Sequence, residues 1–310
     1  MSSTMAKAGA VPVAPARQRS RTDRSQWVGL LYIAPAILLV TVFFVIPLGM
    51  TAWMSLHNWP LMGQHRFIGL DNYVAMTKDV RFWNALKFTG YYTVVVTIAI
   101  FAVAFPLALF VEKPRPMVSV YRTAFFMPVV VGFASASLLW VWLLNVDAGL
   151  FSPAAFRLGL TEKKFNLLAT FDPAFWSIIV MVVWKVAGFT MVILMTGLQS
   201  IPTELQEAAK IDGANGWQRF RAITLPLMRR TLALALILSV AGSILAFDQF
   251  YIVLSGGPRN STITAVYWIF NQSFVSFKLG YGAALSMVLL VILVVLSLIQ
   301  LRLLRNPEGT

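Results

Sequence analysis

Few side chains in this sequence are equipped for covalent chemistry. Cysteine is absent, and only two histidines, His57 and His65, occur. A thiolate nucleophile, a disulfide and a cysteine-ligated metal are therefore excluded. Histidine pairs at helical spacing and a Ser-His-acid signature are missing as well, so each histidine reads as a polar loop residue. Asp147, Glu162 and Asp172 fall in one stretch, without the spacing that acid–base or metal work requires. No Gly-Lys dipeptide occurs, which removes the Gly-rich loop that cradles nucleotide phosphates. What remains is a lysine in an unusual place: Lys185 is the only charge between Asp172 and Glu204.

The elements that must position these residues are apolar. Of the 310 residues, 58% are hydrophobic and 12% charged, where a soluble domain has about 45–50% and about 25%. So little charge cannot coat a water-soluble surface, and so much apolar side chain does not stay disordered. A membrane span needs about 20 apolar residues. The runs predict an all-α polytopic membrane protein with six transmembrane helices, near residues 29–54, 90–111, 122–145, 175–198, 231–254 and 282–304. Residues 260–277 are uncharged but too polar for hydrocarbon; they read as a loop with a short amphipathic helix at 263–270. The apolar run after residue 27 is too long for a cleaved signal. Residues 1–27 are therefore expected to be a disordered basic cytoplasmic tail, 28–304 the transmembrane domain, and 305–310 a C-terminal cytoplasmic tail.

The net charge of +13 could mark nucleic acid or membrane topology. Its distribution favours topology. With the N-terminus inside, 15 of the 25 basic residues fall on inner segments and nine on longer outer loops. Both termini are thus expected in the cytoplasm. Trp27, Trp53, Trp59 and Trp140 lie near span ends, where an aromatic belt belongs.

One inner connection, 199–230, is patterned. Thr203-Glu204-Leu205-Gln206 beside Pro202 predicts a capping box and a short helix to Ile211. Asp212-Gly213 predicts a turn, a second helix fits 217–223, and Pro226 is expected to end it. A short exposed helix gains little from its own propensity, so it must pack on its spans, a partner or the lipid surface.

Glu207-Ala208-Ala209, then Gly213, then Ile223-Thr224-Leu225-Pro226, resembles the EAA loop of bacterial ATP-binding-cassette importer permeases. Further stretches are similar to the carbohydrate-type branch, the maltose and glycerol 3-phosphate permeases, and to the first of their two paired subunits. These are Arg66 to Tyr73 with Phe82 to Leu86, Tyr121 to Asn145 with Pro128, and Phe247 to Tyr251 followed by Leu254-Ser255-Gly256-Gly257-Pro258. Many relatives carry three glycines where this chain has Gly256-Gly257. The resemblance implies the type I permease fold, a bacterial cytoplasmic (inner) membrane location, and import of a sugar or glycerol 3-phosphate. It implies four kinds of partner: a second permease, an ATP-binding-cassette ATPase dimer that binds ATP and Mg, an extracytoplasmic solute-binding protein facing Gly256, Gly257 and Pro258, and membrane lipid. No cofactor of its own and no nucleic acid are expected. It places ATPase coupling on Glu207, Ala208, Ala209, Asp212, Gly213, Ile223, Leu225 and Pro226. The chemistry agrees: Ala208 and Ala209 let a surface approach, and Glu207 offers a carboxylate for a charge-assisted bond.

A lysine at mid-span costs about 2.5–3.5 kcal/mol on insertion scales and should face a cavity or a partner. Lys185 is open to two readings, a substrate contact or latch with Asp248, and an architectural role. Trp184 to Phe189 is a Trp-Lys-x-x-Gly-Phe pattern that recurs in these permeases and suggests the second. Trp184, Trp140, Asn145 and Gln249 complete the candidates for a substrate path, although aromatics at span ends also serve as interface anchors. Other functional classes are a secondary transporter, which lacks support from repeats or acid relays here, and a polytopic membrane enzyme.

Overall fold

Backbone polar groups in hydrocarbon are satisfied only within helices or closed barrels, and the apolar runs of this chain are helical. The structure, a computed structural model, describes residues 32–304. The two expected tails, 1–27 and 305–310, lie outside them. The chain divides into two units after Met50. The first contains most of α1 (Tyr32–Ser55), an apolar helix with a widened π-helical turn at Thr41–Val45.

After the end of α1, the second unit continues with a two-residue antiparallel pair, β1 (His57–Asn58) and β2 (Arg66–Phe67), in the register His57 to Phe67. Then come α2 (Asp71–Thr77), α3 (Val80–Val111), α4 (Val118–Val130), α5 (Phe133–Leu143), α6 (Phe151–Arg157) and α7 (Phe171–Gln199). They are followed by α8 (Thr203–Ile211), α9 (Gly216–Leu227), α10 (Arg229–Ile244), α11 (Ala265–Phe270) and α12 (Leu279–Leu304). The architecture is helical as expected, β1–β2 excepted. By length and composition four described helices can span, and up to six if each of two bent pairs counts as one span.

Two expected spans are corrected. The third, 122–145, is two helices, α4 and α5, meeting at 95°. Pro128 removes one helical N–H, and Val131 turns extended ahead of Gly132, a weak helix former. The fifth, 231–254, stops as α10 at Ile244, and a separate widened turn forms Phe250–Leu254. Ser243 bonds back to the Ser239 carbonyl at 2.7 Å in that last turn, an alternative to the helical ladder. The helix of the second span starts at Val80, ten residues before the expected start at 90. Asp79 is the reason: its Oδ1 accepts from the Arg81 and Phe82 amides at 3.0 and 3.1 Å and caps α3.

α3 and α7 form the centre. Tyr92, Val96 and Ile100 pack with Phe175, Ile178, Met181 and Phe250 in one cluster. Ala104, Ala108 and Val111 pack with Met191, Leu194 and Met228 in a second. Arg122, on α4, spends its guanidinium on the Val111 and Glu112 carbonyls that end α3, the Nε bond to Val111 being 3.0 Å. A cation placed on the last carbonyls of a helix also suits its dipole. His57 is buried, with Nδ1 2.8 Å from the Trp53 carbonyl oxygen and its ring against Phe67. It is a packed core residue.

Asp79 also joins distant elements. Its Oδ2 accepts from Trp268 Nε1 at 2.9 Å and Tyr281 Oη at 2.7 Å, tying α3 to α11 and α12. Burial alone pushes this carboxyl up, but the bonds from Tyr281, Trp268 and the Phe82 and Arg81 amides outweigh it and hold it below its ordinary 3.8. A depressed folded value contributes stability above the unfolded pKa, and that stability is lost as pH falls through the folded value. Asp79→Ala should therefore cost about 1–3 kcal/mol near neutrality. Thermal melts in detergent should show the gap between variant and parent closing as the pH is lowered below the unfolded value of about 3.9. A gap independent of pH would exclude the carboxylate as its source.

Candidate coupling elbow and translocation cavity

The patterned connection folds as an elbow. α8 ends in a Schellman closure: Gly213 N–H reaches the Lys210 carbonyl at 3.1 Å, and Ala214 N–H the Ala209 carbonyl at 2.9 Å. Gly213 holds φ +79°, a backbone state that suits glycine. The expected capping box at Thr203 and Gln206 is not formed. Pro202 occupies the cap position and Thr203 is already the first helical residue. Gln206 instead donates to Thr224 Oγ1 at 3.2 Å, bracing α8 against α9. The capping box belongs to the second helix, where Asn215 Oδ1 accepts from the Gln218 amide at 2.9 Å and Gln218 Oε1 from the Asn215 amide at 2.7 Å.

Pro226 does not end the second helix, which runs to Leu227 and meets α10 at 70°. The turn just before Pro226, Phe220–Thr224, is widened. That widening accommodates a ring that would otherwise press on the preceding turn. Phe220 anchors the elbow, stacking with Trp217 at 5.5 Å and meeting Phe105 of α3 edge-on at 5.6 Å. A cavity of about 750 Å³ lies behind it, bounded by Leu109, Glu112, Leu198, Gln206 and Trp217. Glu207, Ala208 and Asp212 are exposed, Ala209 and Ile223 half-buried, Pro226 half-buried and Leu225 exposed. The Glu207 carboxylate makes no ion pair; the single ion pair among the described residues is Lys164 with Asp147, at 2.9 Å. Ile211 and Trp217 are 86% and 68% exposed among the described residues, an apolar pair flanking the turn.

The candidates for a substrate path are only partly brought together. A cavity of about 460 Å³ is lined by Lys185, Gln249, Tyr92, Ser239, Ser243 and Phe133, among others. Trp184, Trp140, Asn145 and Asp248 do not line it. Trp140 is buried against Phe151 and Trp184, at ring separations of 5.8 and 6.1 Å. Asn145 builds a turn, its Oδ1 accepting from the Asp147 and Ala148 amides, both at 2.9 Å.

The latch between Lys185 and Asp248 is not formed. Lys185 Nζ donates to the Pro128 and Val129 carbonyls at 3.4 and 3.2 Å and sits 4.7 Å from the Phe133 ring centroid. Those carbonyls end α4 at its bend, where no continuing helix supplies donors. Lys185 therefore caps a broken helix, and this architectural role accounts for its burial. Gln249 Nε2 donates to Tyr92 Oη at 3.2 Å across the same cavity. Sequence reasoning missed Tyr92, Ser239 and Ser243. Hydroxyls at i and i+4 inside an apolar run, all on one face, were the available signal.

Gly256, Gly257 and Pro258 form a closed loop. Gly257 N–H bonds the Leu254 carbonyl at 2.7 Å, and the buried Thr262 hydroxyl returns to the Gly257 carbonyl at 2.5 Å.

Residues 74–307 match the family described as "Binding-protein-dependent transport system inner membrane component". The sn-glycerol-3-phosphate transport system permease protein UgpA of Escherichia coli O157:H7 is 32% identical, over 90% of this chain and 94% of its own length. The chain belongs to this family. The permease is also similar to the probable starch degradation products transport system permease protein AmyD of Thermoanaerobacterium thermosulfurigenes, at 31% identity over 90% of this chain and 94% of that one. Among solved structures, a bacterial alginate ABC transporter in complex with an alginate pentasaccharide-bound periplasmic protein shares the fold. Its TM-score is 0.76 at 21% identity, covering 93% of this chain and 97% of the matched one. As a member, this permease is a membrane-spanning transport subunit and not an enzyme.

Proposed function

We propose that this permease imports a carbohydrate or a polyol phosphate, with α8 and its turn as the contact to the ATPase. The observation that carries the reading is the elbow. Glu207 and Ala208 are exposed, Ile211 and Trp217 are uncovered, and the Schellman turn at Gly213 presents them together. Among the described residues Glu207 has no ion pair, and Ile211 and Trp217 stay largely exposed. An apolar centre beside an unpaired carboxylate is the composition of a protein contact, and a charge-assisted bond from an ATPase Arg or Lys to Glu207 fits it.

In this reading the chain pairs with a second, different permease, an ATPase dimer holding ATP and Mg, and an extracytoplasmic solute-binding protein. Region 199–230 and both termini face the cytoplasm, and the loop at Gly256-Gly257-Pro258 faces the binding protein. Closure of the ATPase pair moves α8, the bracing bond from Gln206 to Thr224 carries the displacement into α9, and the 70° bend passes it to α10. The cavity with Tyr92, Gln249, Ser239 and Ser243 supplies hydroxyl and amide partners for a polyol. The relatives named for starch products and for glycerol 3-phosphate support this substrate class.

Proteoliposomes carrying the four components test it. ATP trapped on the ATPase side, with binding protein on the other, should drive uptake of labelled maltooligosaccharide or glycerol 3-phosphate. Ile211→Cys, in this cysteine-free chain, should react with an impermeant thiol reagent only from the ATPase side. Uptake by the chain alone under a proton gradient, without ATP, would make it a secondary transporter.

A further inference from the structure

A second cavity, of about 530 Å³, lies between the start of α3, the 259–263 loop and α11 with its following turn. Arg81 and Arg259 line it together with Asn84, Asn260, Asn271 and Gln272, and no carboxylate does. The Arg81 guanidinium stands 5.7 Å from the Trp268 ring centroid, which holds it in place. Neither guanidinium has an ion-pair partner, since the single pair among the described residues is Lys164 with Asp147. The neighbouring Asp79 is saturated by four donors and points its second oxygen to Trp268 and Tyr281. The four amide side chains likewise make no hydrogen bond among the described residues. The cavity thus concentrates donors and positive charge that no carboxylate among the described residues answers.

We infer that this cavity receives an acidic side chain, Asp or Glu, of the solute-binding protein. The inference rests on the importer reading above and deepens it. A planar guanidinium matches a carboxylate bidentately, and amides supply the remaining donors. The charge surplus also extends beyond the cavity. The segments placed outside carry nine basic residues against Asp71, Asp79, Asp147, Glu162 and Asp172, and of these acids Asp79 and Asp147 are already engaged. That extent fits a docked protein surface better than one small anion, and complementary charge speeds and orients such docking.

The test uses the reconstituted importer and titrates ATP hydrolysis with binding protein. In the Arg81→Gln/Arg259→Gln double variant the binding-protein concentration for half-stimulation should rise roughly tenfold or more, with the rate recovered at saturation and the salt dependence flattened. The Arg81→Lys/Arg259→Lys variant, which keeps the charge, should recover most of the loss and shows that the fold is intact. Arg259→Glu should be rescued by a lysine replacing one acidic residue of the binding protein. An unchanged half-stimulation in assembled Gln variants overturns the assignment. So does a change confined to the KM of a phosphorylated or carboxylated substrate, which would make the cavity a substrate site. If no binding protein stimulates even the unaltered complex, the importer reading fails with it, a distinguishable result.

Discussion

Gly213→Val should abolish ATP-driven uptake while leaving the chain inserted and assembled. Gly213 holds φ +79° and has open space where a Cβ would stand. The penalty therefore comes from the backbone. A side chain in the left-handed region costs about 1–3 kcal/mol and more for β-branched residues. That strain is relieved by opening the Schellman closure, which turns α8 away from α9. Such a loss is small against the stability of the whole chain, but about 1.4 kcal/mol already shifts a conformational equilibrium tenfold. A coupling element that must occupy two defined positions is sensitive to it. Substitution order separates strain from simple bulk at a partner surface. Asn tolerates the left-handed state better than Ala although it is larger, so uptake should fall in the order Asn, Ala, Val. If Ala instead outperforms Asn, contact with the ATPase and not the turn sets the requirement. Glu207→Ala should lower uptake and co-purification of the ATPase together, because the exposed carboxylate has no ion pair to lose among the described residues.

That turn was legible because its signals are local. Asp212-Gly213 marks a helix stop by residue type alone, and the motif around Glu207 and Pro226 carries the rest. The helix ends were less legible, because they depend on groups far along the chain. α3 begins at Val80 because Asp79 caps it, and Asp79 is itself held by Trp268 and Tyr281, 189 and 202 residues away. The capping box was misplaced by proximity of a Pro: Thr203 has the right type, but Pro202 takes the cap position. The third span read as continuous because charge counting is blind to a bend. Val131 and Gly132 carry no charge, so the run looked whole while the backbone turned through 95°. A lysine in an apolar run reads as costly, but seeking an opposite charge does not find its partners. The partners are backbone carbonyls, which no sequence prints.

Gly188→Ala should disrupt this permease more than Lys185→Met, although the second removes a charge and the first adds only a methyl. The two residues stand three apart on one face of α7, and both address α4. A Cβ on Gly188 would lie 2.0 Å from the Phe125 carbonyl oxygen and 2.8 Å from its carbon. Both are backbone atoms, so α4 itself must retreat, and overpacking of this kind costs about 1–3 kcal/mol or more. The retreat also withdraws the Pro128 and Val129 carbonyls from Lys185 Nζ, now 3.4 and 3.2 Å away. Lys185→Met loses those bonds and the cation's contact with the Phe133 ring, without moving α4, at about 1–3 kcal/mol for each carbonyl left without a donor. It should at the same time ease insertion of the isolated span by about 2.5–3.5 kcal/mol, so insertion efficiency and thermal stability in detergent should move in opposite directions. Because the Gly188 variant already breaks the lysine contacts, the Gly188→Ala/Lys185→Met double variant should melt close to Gly188→Ala alone, a coupling visible in a double-mutant cycle. Additive losses would show that Lys185 holds something other than the end of α4. In that case a matching rise in substrate KM for Lys185→Met would return it to the translocation path.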